Sequence, residues 1–179
     1  RNLEERGVGT LLVVEPGLTI YIKCRAMGAP RRFGELARFS QTDLPARLGR
    51  GLPFLTLAAD GTLHPMLCSD LEWLAVDART LRLAIAARSR SARNLEERGV
   101  GTLLVVEPGL TIYIKCRAMG APRRVGDLAR FSLAVEDVLE DAPSAEEGDV
   151  RITGGITYAP VPALEEPWAQ AVLAALREG

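Results

Sequence analysis

The sequence predicts a mainly β fold: a closed or nearly closed barrel of about six to seven short antiparallel strands, with a few helices. Three observations carry this. Apolar and polar residues alternate over runs of six to nine residues, the pattern of half-exposed strands. Asp60-Gly61 and Pro108-Gly109 separate such runs at hairpin spacing. A block of 40 residues occurs twice and carries one of these hairpins with it.

The block opens with RNLEERGVGTLLVVEPGLTIYIKCRAMGAPRR at Arg1 and returns at Arg93. Aligning Arg1–Ser40 with Arg93–Ser132 leaves two differences, Phe33 against Val125 and Glu35 against Asp127. From Gln41 and Leu133 onward the likeness stops. Structural repeats normally drift in sequence and need about three copies to bury a core. Two near-identical copies separated by unrelated sequence therefore describe a duplicated segment, not a solenoid. Residues 41–179 have the length of an ordinary single domain. Residues 1–40 are expected to be surplus to it or swapped into it: an extension, a pair of strands at the barrel edge, or a competitor for the place of 93–132. The first copy is expected to add no second active site, because it lacks Ser89, Arg90 and Ser91 before its Arg1-Asn2-Leu3.

After the first copy, Thr42-Asp43-Leu44-Pro45 can start a short helix ending near Gly49–Gly51, with Thr or Asp as N-cap. Residues 53–58 and 62–68 make a hairpin about Asp60-Gly61. Residues 71–76 and 80–86 make a second strand pair, with Leu81, Leu83 and Ile85 on one face and Arg82 on the other. Ser89–Arg98 reads as a helix capped by Ser89 or Ser91 and closed by Gly99. Residues 102–107 and 110–118 form the hairpin of the repeat, with Leu110, Ile112, Ile114 and Cys116 facing one way. Residues 136–149 hold seven acidic residues and no basic one, and read as a short helix followed by an exposed loop. Val150–Tyr158 is a last strand, and Gly154-Gly155 within it marks a bulge or a close backbone approach. From Pro167 a closing helix places Trp168, Val172 and Leu176 at spacings of four.

Composition excludes several functions. With 22 basic and 23 acidic residues the net charge is −1, so no field recruits nucleic acid or an acidic membrane. No apolar run approaches the roughly 20 residues that span a bilayer. The charged opening Arg1-Asn2-Leu3-Glu4-Glu5-Arg6 lacks the pattern of a signal peptide. Cys24 and Cys116 are copies of one position and Cys68 stands alone, so no cysteine framework is present and a cytoplasmic setting is expected. His64 is the one histidine, and no metal site is expected.

The ordered set of residues 53–68 with the Asp60-Gly61 turn, the strand 81–86, and Ser89-Arg90-Ser91-Ala92-Arg93-Asn94-Leu95 followed by a hairpin resembles the pyridoxamine 5′-phosphate oxidase-like family. These are FMN-binding split barrels, and the likeness covers about residues 44–118, with 150–158 as a further barrel strand. The resemblance implies a homodimer with FMN in clefts between subunits, acting on a small-molecule substrate. It also implies two phosphate-holding places. One is the start of the helix, where Ser89 and Arg90 match and Ser91 stands where the family usually has lysine. The other is the strand after the first turn, where Leu63-His64-Pro65-Met66-Leu67-Cys68 keeps His64 but no Arg or Lys. Chemically, a helix N-terminus offers free N–H groups and a positive dipole end to an anion, and Arg adds bidentate contacts.

The candidate cofactor-binding residues are thus Ser89, Arg90, Ser91, Arg93, Asn94 and His64. Each also has a plain reading. Arg90 and Arg93 suit a solvated helix surface, Ser89 and Ser91 an N-cap, Asn94 a structural hydrogen bond, and His64 an ordinary strand position. Trp73 and Trp168 are expected in the core or an interface, Lys115 and Arg117 at the surface, and Cys68 and Cys116 as small buried hydrophobes. No Ser/His/Asp set, carboxylate pair or phosphate-binding glycine loop is present. In a flavoprotein the cofactor itself carries the redox chemistry. Two readings follow: an FMN-dependent oxidoreductase, or a non-catalytic member of the fold that has lost FMN or binds another cofactor, deazaflavin or haem.

Overall fold

A computed structural model describes residues 8–15, 18–25, 34–41 and 44–178. Strands β1 (Val8–Glu15) and β2 (Leu18–Arg25) pair with each other in a two-stranded sheet of their own. A 3-10 helix follows at Gly34–Phe39. The expected N-cap Thr42-Asp43 lies outside the described residues. Beyond it the expected helix is a single 3-10 turn, Leu44–Ala46, with Leu44 and Leu48 buried.

The main sheet is built from β3 (Arg50–Leu57), β4 (Leu63–Ser69), β5 (Trp73–Asp77) and β6 (Thr80–Ala86). Helix α1 (Arg90–Arg98) comes next. The sheet then continues with β7 (Val100–Glu107), β8 (Leu110–Ala118), β9 (Arg123–Val125), β10 (Leu128–Asp141) and β11 (Ile156–Thr157). Helix α2 (Pro167–Arg177) closes the chain. The strand order is β11-β3-β7-β8-β10-β6-β5, with β4 also on β3 and β9 on β10, all antiparallel. The path ends at β11 and β5, so the barrel is left open there. The sheet curls around one core to which β3 through β8 and β10 all contribute.

Sequence chemistry explains the hairpins. Gly61 and Gly109 take positive φ of 84° and 80° in the Asp-Gly and Pro-Gly turns. In β8, Ile112, Ile114 and Cys116 are buried, while Thr111, Tyr113 and Lys115 face outward. Desolvation, aided by the charge of Glu136, pushes the Cys116 thiol up to about 12, so it stays a neutral hydrophobe.

Gly101 in β7 is required by close approach. A Cβ there would lie 2.4 Å from the ring of Phe54, which is itself buried edge-on against Trp73 at 5.1 Å. Gly101→Ala is expected to cost about 1–3 kcal/mol through this overpacking, read as a lower urea midpoint.

Three expectations are corrected. Residues 136–141, read as a helix, are the second half of the 14-residue β10. Cross-strand ion pairs from Arg117 to Glu136 and from Lys115 to Asp137 (3.1 Å) balance the first two acidic residues of the run, and Val135 and Val138 face the core. Residues 150–158 contribute only the two-residue β11, paired to Gly51 and Arg50. Val150 and Ile156 are 61% and 50% exposed. Gly155 does make the close approach: a Cβ would lie 3.0 Å from Val106 O. Third, of the two places expected for Trp168 the core is ruled out: it stands exposed in the single chain, whereas Val172 and Leu176 of α2 are buried with Leu44, Leu48, Leu71 and Ala84 outside the sheet. Arg82 donates to the carbonyls of Leu176 (2.8 Å) and Glu178 (3.0 Å), and Arg130 also donates to Glu178 O. These cations suit the negative end of α2.

The duplicated segment does not fold the same way twice. Leu128-Ala129-Arg130-Phe131 lies in β10, whereas the identical Leu36-Ala37-Arg38-Phe39 lies in the Gly34–Phe39 3-10 helix. Both phenylalanines are 1% exposed, and Leu36 and Phe39 belong to the barrel core. Leu36 and Phe39 of the first copy thus pack in the same core as the strands of residues 50–141.

Their docking is fixed by charge as well. Arg38 Nη1 donates to Glu107 Oε2 (2.6 Å), and Arg50 Nη1 to Glu107 Oε1 (2.5 Å). Arg50 also grips Asp70 with two hydrogen bonds of 2.7 Å, and Arg47 reaches Asp70 (3.3 Å) and the carbonyl of Ser40 (2.6 Å). Burial alone would raise the Glu107 carboxyl, but Arg38 and Arg50 outweigh it and hold it below its ordinary value. A depressed carboxylate stabilises fully above its unfolded pKa, about 4.3, and the contribution is lost as pH falls through the folded value. Glu107→Gln is therefore expected to flatten the stability profile below about pH 4.3, measured by urea midpoints from pH 3 to 7.

Candidate functional site

The predicted residues gather where α1 packs on the β3–β4 hairpin. Ser89 takes the N-cap role: its hydroxyl accepts from the N–H of Ala92 at 3.1 Å. Gly99 ends the helix in the left-handed conformation at φ 69°. The remaining N–H groups of a helix's first turn have no partner within the helix.

Ser91, one residue into α1, is 1% exposed, and its Oγ is buried without a hydrogen-bond partner. A buried hydroxyl in that condition is uncommon in a folded protein. Arg90 and Arg93 are exposed on the same turn. The Thr62 hydroxyl and N–H lower the Asp60 carboxyl, and the charge of Arg90 adds a smaller part, so Arg90 stands near the β3–β4 turn.

Asn94 is buried and donates through Nδ2 to Thr56 Oγ1 at 2.9 Å. Thr56 in turn donates to the carbonyl of His64 at 3.4 Å. Thr56 is paired with His64 across β3 and β4, so this chain ties α1 to the hairpin. Sequence reasoning missed Thr56. The signal was available: a lone hydroxyl inside the apolar run Pro53-Phe54-Leu55-Thr56-Leu57 needs a partner when buried.

His64 is half-buried in β4. Its neighbours on the outer face, Leu63, Pro65 and Leu67, are exposed and apolar, and Met66 packs on the core. This strand therefore offers an anion only His64. An open depression of about 460 Å³ lies elsewhere, lined by Glu96, Gly120, Ala121, Pro122 and Arg124, and none of the six predicted residues borders it.

A second group of titratable residues, of which Cys68 is buried and Glu72 and Tyr158 are half-buried, lies at the far end of β4. Desolvation raises the Glu72 carboxyl, although Ser69 N–H donates to it at 2.6 Å. Desolvation likewise raises the Cys68 thiol and the Tyr158 phenol, each with a smaller push from Glu72. No helix among the described residues is long and apolar enough to cross a membrane.

No family model and no curated protein matches this chain. Solved structures do. PhzG from Burkholderia lata 383, in complex with tetrahydrophenazine-1-carboxylic acid, is 16% identical, covering 69% of this chain and 91% of its own, with a TM-score of 0.48. An FMN-binding protein from Syntrophomonas wolfei is 13% identical, covering 63% and 90%, with a TM-score of 0.46. The styrene monooxygenase flavin reductase of Pseudomonas putida S12 is 13% identical, covering 59% and 88%, with a TM-score of 0.43. By its own strand order, its curled antiparallel sheet and its open edge, the chain is a split β-barrel.

Proposed function

We propose that this chain binds FMN by its phosphate at the N-terminus of α1 and passes hydride or electrons between that flavin and a small substrate. The observation that carries the reading is the Ser91 hydroxyl, buried and without a protein partner in the first turn of α1, where helix N–H groups have no partner within the helix. Arg90 and Arg93 supply the positive charge that a phosphate dianion needs, and His64 lies in the hairpin on which α1 rests. Bound flavin would supply the redox chemistry; the chain's residues would hold and orient it.

The test is a visible spectrum after adding FMN and desalting. Retained flavin absorbance supports the site. Ser91→Ala removes an unsatisfied buried hydroxyl, so the flavin-free protein should be as stable or up to about 1 kcal/mol more stable, while FMN affinity falls. Arg90→Ala should weaken FMN about tenfold or more, the worth of a hydrogen bond to a charged group. Equal FMN affinity in both variants and the parent would sink the proposal.

The second reading, a non-catalytic binding member of the fold or one using deazaflavin or haem, is favoured by the apolar β4. A colourless protein that fails to keep FMN would support it. We also propose a homodimer in the cytoplasm. Leu67 and Ile156 meet over Gly51 on the outer face of the sheet, where both are exposed, and apolar surface of this kind marks protein contacts. Cys68 and Cys116 are free thiols, in keeping with a reducing compartment.

A further inference from the structure

We propose that the β1–β2 hairpin is a second occupant of the slot between β3 and β10, exchanging there with β7–β8 within one chain. The first ground is identity. Residues 8–25 and 100–117 are the same at every position. Their registers match as well: Val8 faces Arg25 and Glu15 faces Leu18, as Val100 faces Arg117 and Glu107 faces Leu110. Either hairpin would bring the same side chains to the same neighbours. The difference between the two states then lies in the connections alone.

The second ground is that β1–β2 stands as a sheet of two strands. A lone two-stranded hairpin is marginal in water. Its twin is stabilised from both sides, by β3 through Phe54, Leu55 and Thr56 and by β10 along most of β8. The slot thus offers the first hairpin ladders that it lacks.

The third ground is that the two ends of the resident lie together, so its flanking segments stay joined if it leaves. The ends of β7 and β8 are adjacent, Val100 opposite Arg117, and the N–H of Ala118 donates to Gly99 O at 2.7 Å. Extruding β7–β8 leaves α1 and β9 joined at that closed base.

Reach is sufficient too. Arg38 is held 2.6 Å from Glu107, at the turn end of the resident hairpin. The base of the slot is one strand length away, roughly 26 Å at about 3.3 Å per residue. Residues 26–33 link β2 to the anchored segment and extend to about 30 Å. Tethering on that scale favours the chain's own hairpin over one from another molecule.

The test uses three variants of the full chain. Ile114 is fully buried in the resident hairpin, and Ile22 is its counterpart in the first copy. Exchange predicts that Ile114→Asp keeps a cooperative urea transition, that Ile22→Asp does too, and that the double variant loses it. In Ile114→Asp, thiol labelling read by mass spectrometry should shift: Cys116 labels at least tenfold faster than in the parent, and Cys24 becomes protected. An Ile114→Asp protein as unfolded as the double variant overturns the proposal. A rescued Ile114→Asp protein of doubled mass by light scattering, beside a parent of single mass, overturns its intrachain form and assigns the exchange to two chains.

Discussion

Phe39→Ala is expected to lower stability by about 3–5 kcal/mol, the cost of emptying a buried aromatic site. The ring is 1% exposed and tilts against Trp73 with centroids 6.4 Å apart. Trp73 also carries Phe54, so the cavity would open beside a three-ring stack in which no partner can collapse without losing another contact. For a protein of this length the melting temperature should drop by roughly 6–20 °C. Phe131→Ala, at the equivalent place in the second copy, should cost a similar amount, because its ring is equally buried. An unchanged midpoint for Phe39→Ala would remove residues 34–39 from the core.

Asp70→Ala should be as damaging for a different reason. The Asp70 side chain is fully buried and receives Arg50 in a two-bonded grip, with Arg47 beside it. Removing the carboxylate leaves Arg50 facing Glu107 alone and Arg47 without its acidic partner. Breaking a buried pair from one side typically costs about 3–5 kcal/mol. Replacing the pair together, as in Asp70→Leu with Arg50→Met, should recover much of this, since the penalty comes from the stranded charge. Chemical denaturation of the two variants separates the cases: a double variant no better than Asp70→Ala would mean that the grip itself, and not the orphaned guanidinium, is what matters.

Much of the fold was legible in the sequence because its hairpins announce themselves locally. Asp60-Gly61, Asp77-Ala78-Arg79 and Pro108-Gly109 each join strands where turn chemistry and alternation agree. Helix α1 was equally plain, with Ser89 to start it and Gly99 to end it. What escaped was set by distant partners. Residues 136–141 look helical or loop-like alone, and become a strand because Lys115 and Arg117 wait across the ladder. The fate of Leu36–Phe39 could not be read locally at all, since the same four residues form a strand at 128–131. At the candidate site, the residue types and the helix start were readable. The Asn94–Thr56–His64 chain was not, because it needs three elements already assembled. That Ser91 is the hydroxyl left unpaired, while Ser89 takes the cap, is likewise a tertiary outcome.

The duplication also sets an order in time. A chain made from its N-terminus completes β1–β2 at Arg25 and β3 at Leu57, while the resident partner of β3 is finished only at Ala118. At about 5–20 residues per second of synthesis, β3 waits roughly 3–12 s for β7–β8. Throughout that interval the hairpin within reach of its free edge is the first copy, and hairpins form in microseconds. On the exchange proposed above, the earlier segment would cover the edge of the nascent β3 until its twin arrives to displace it.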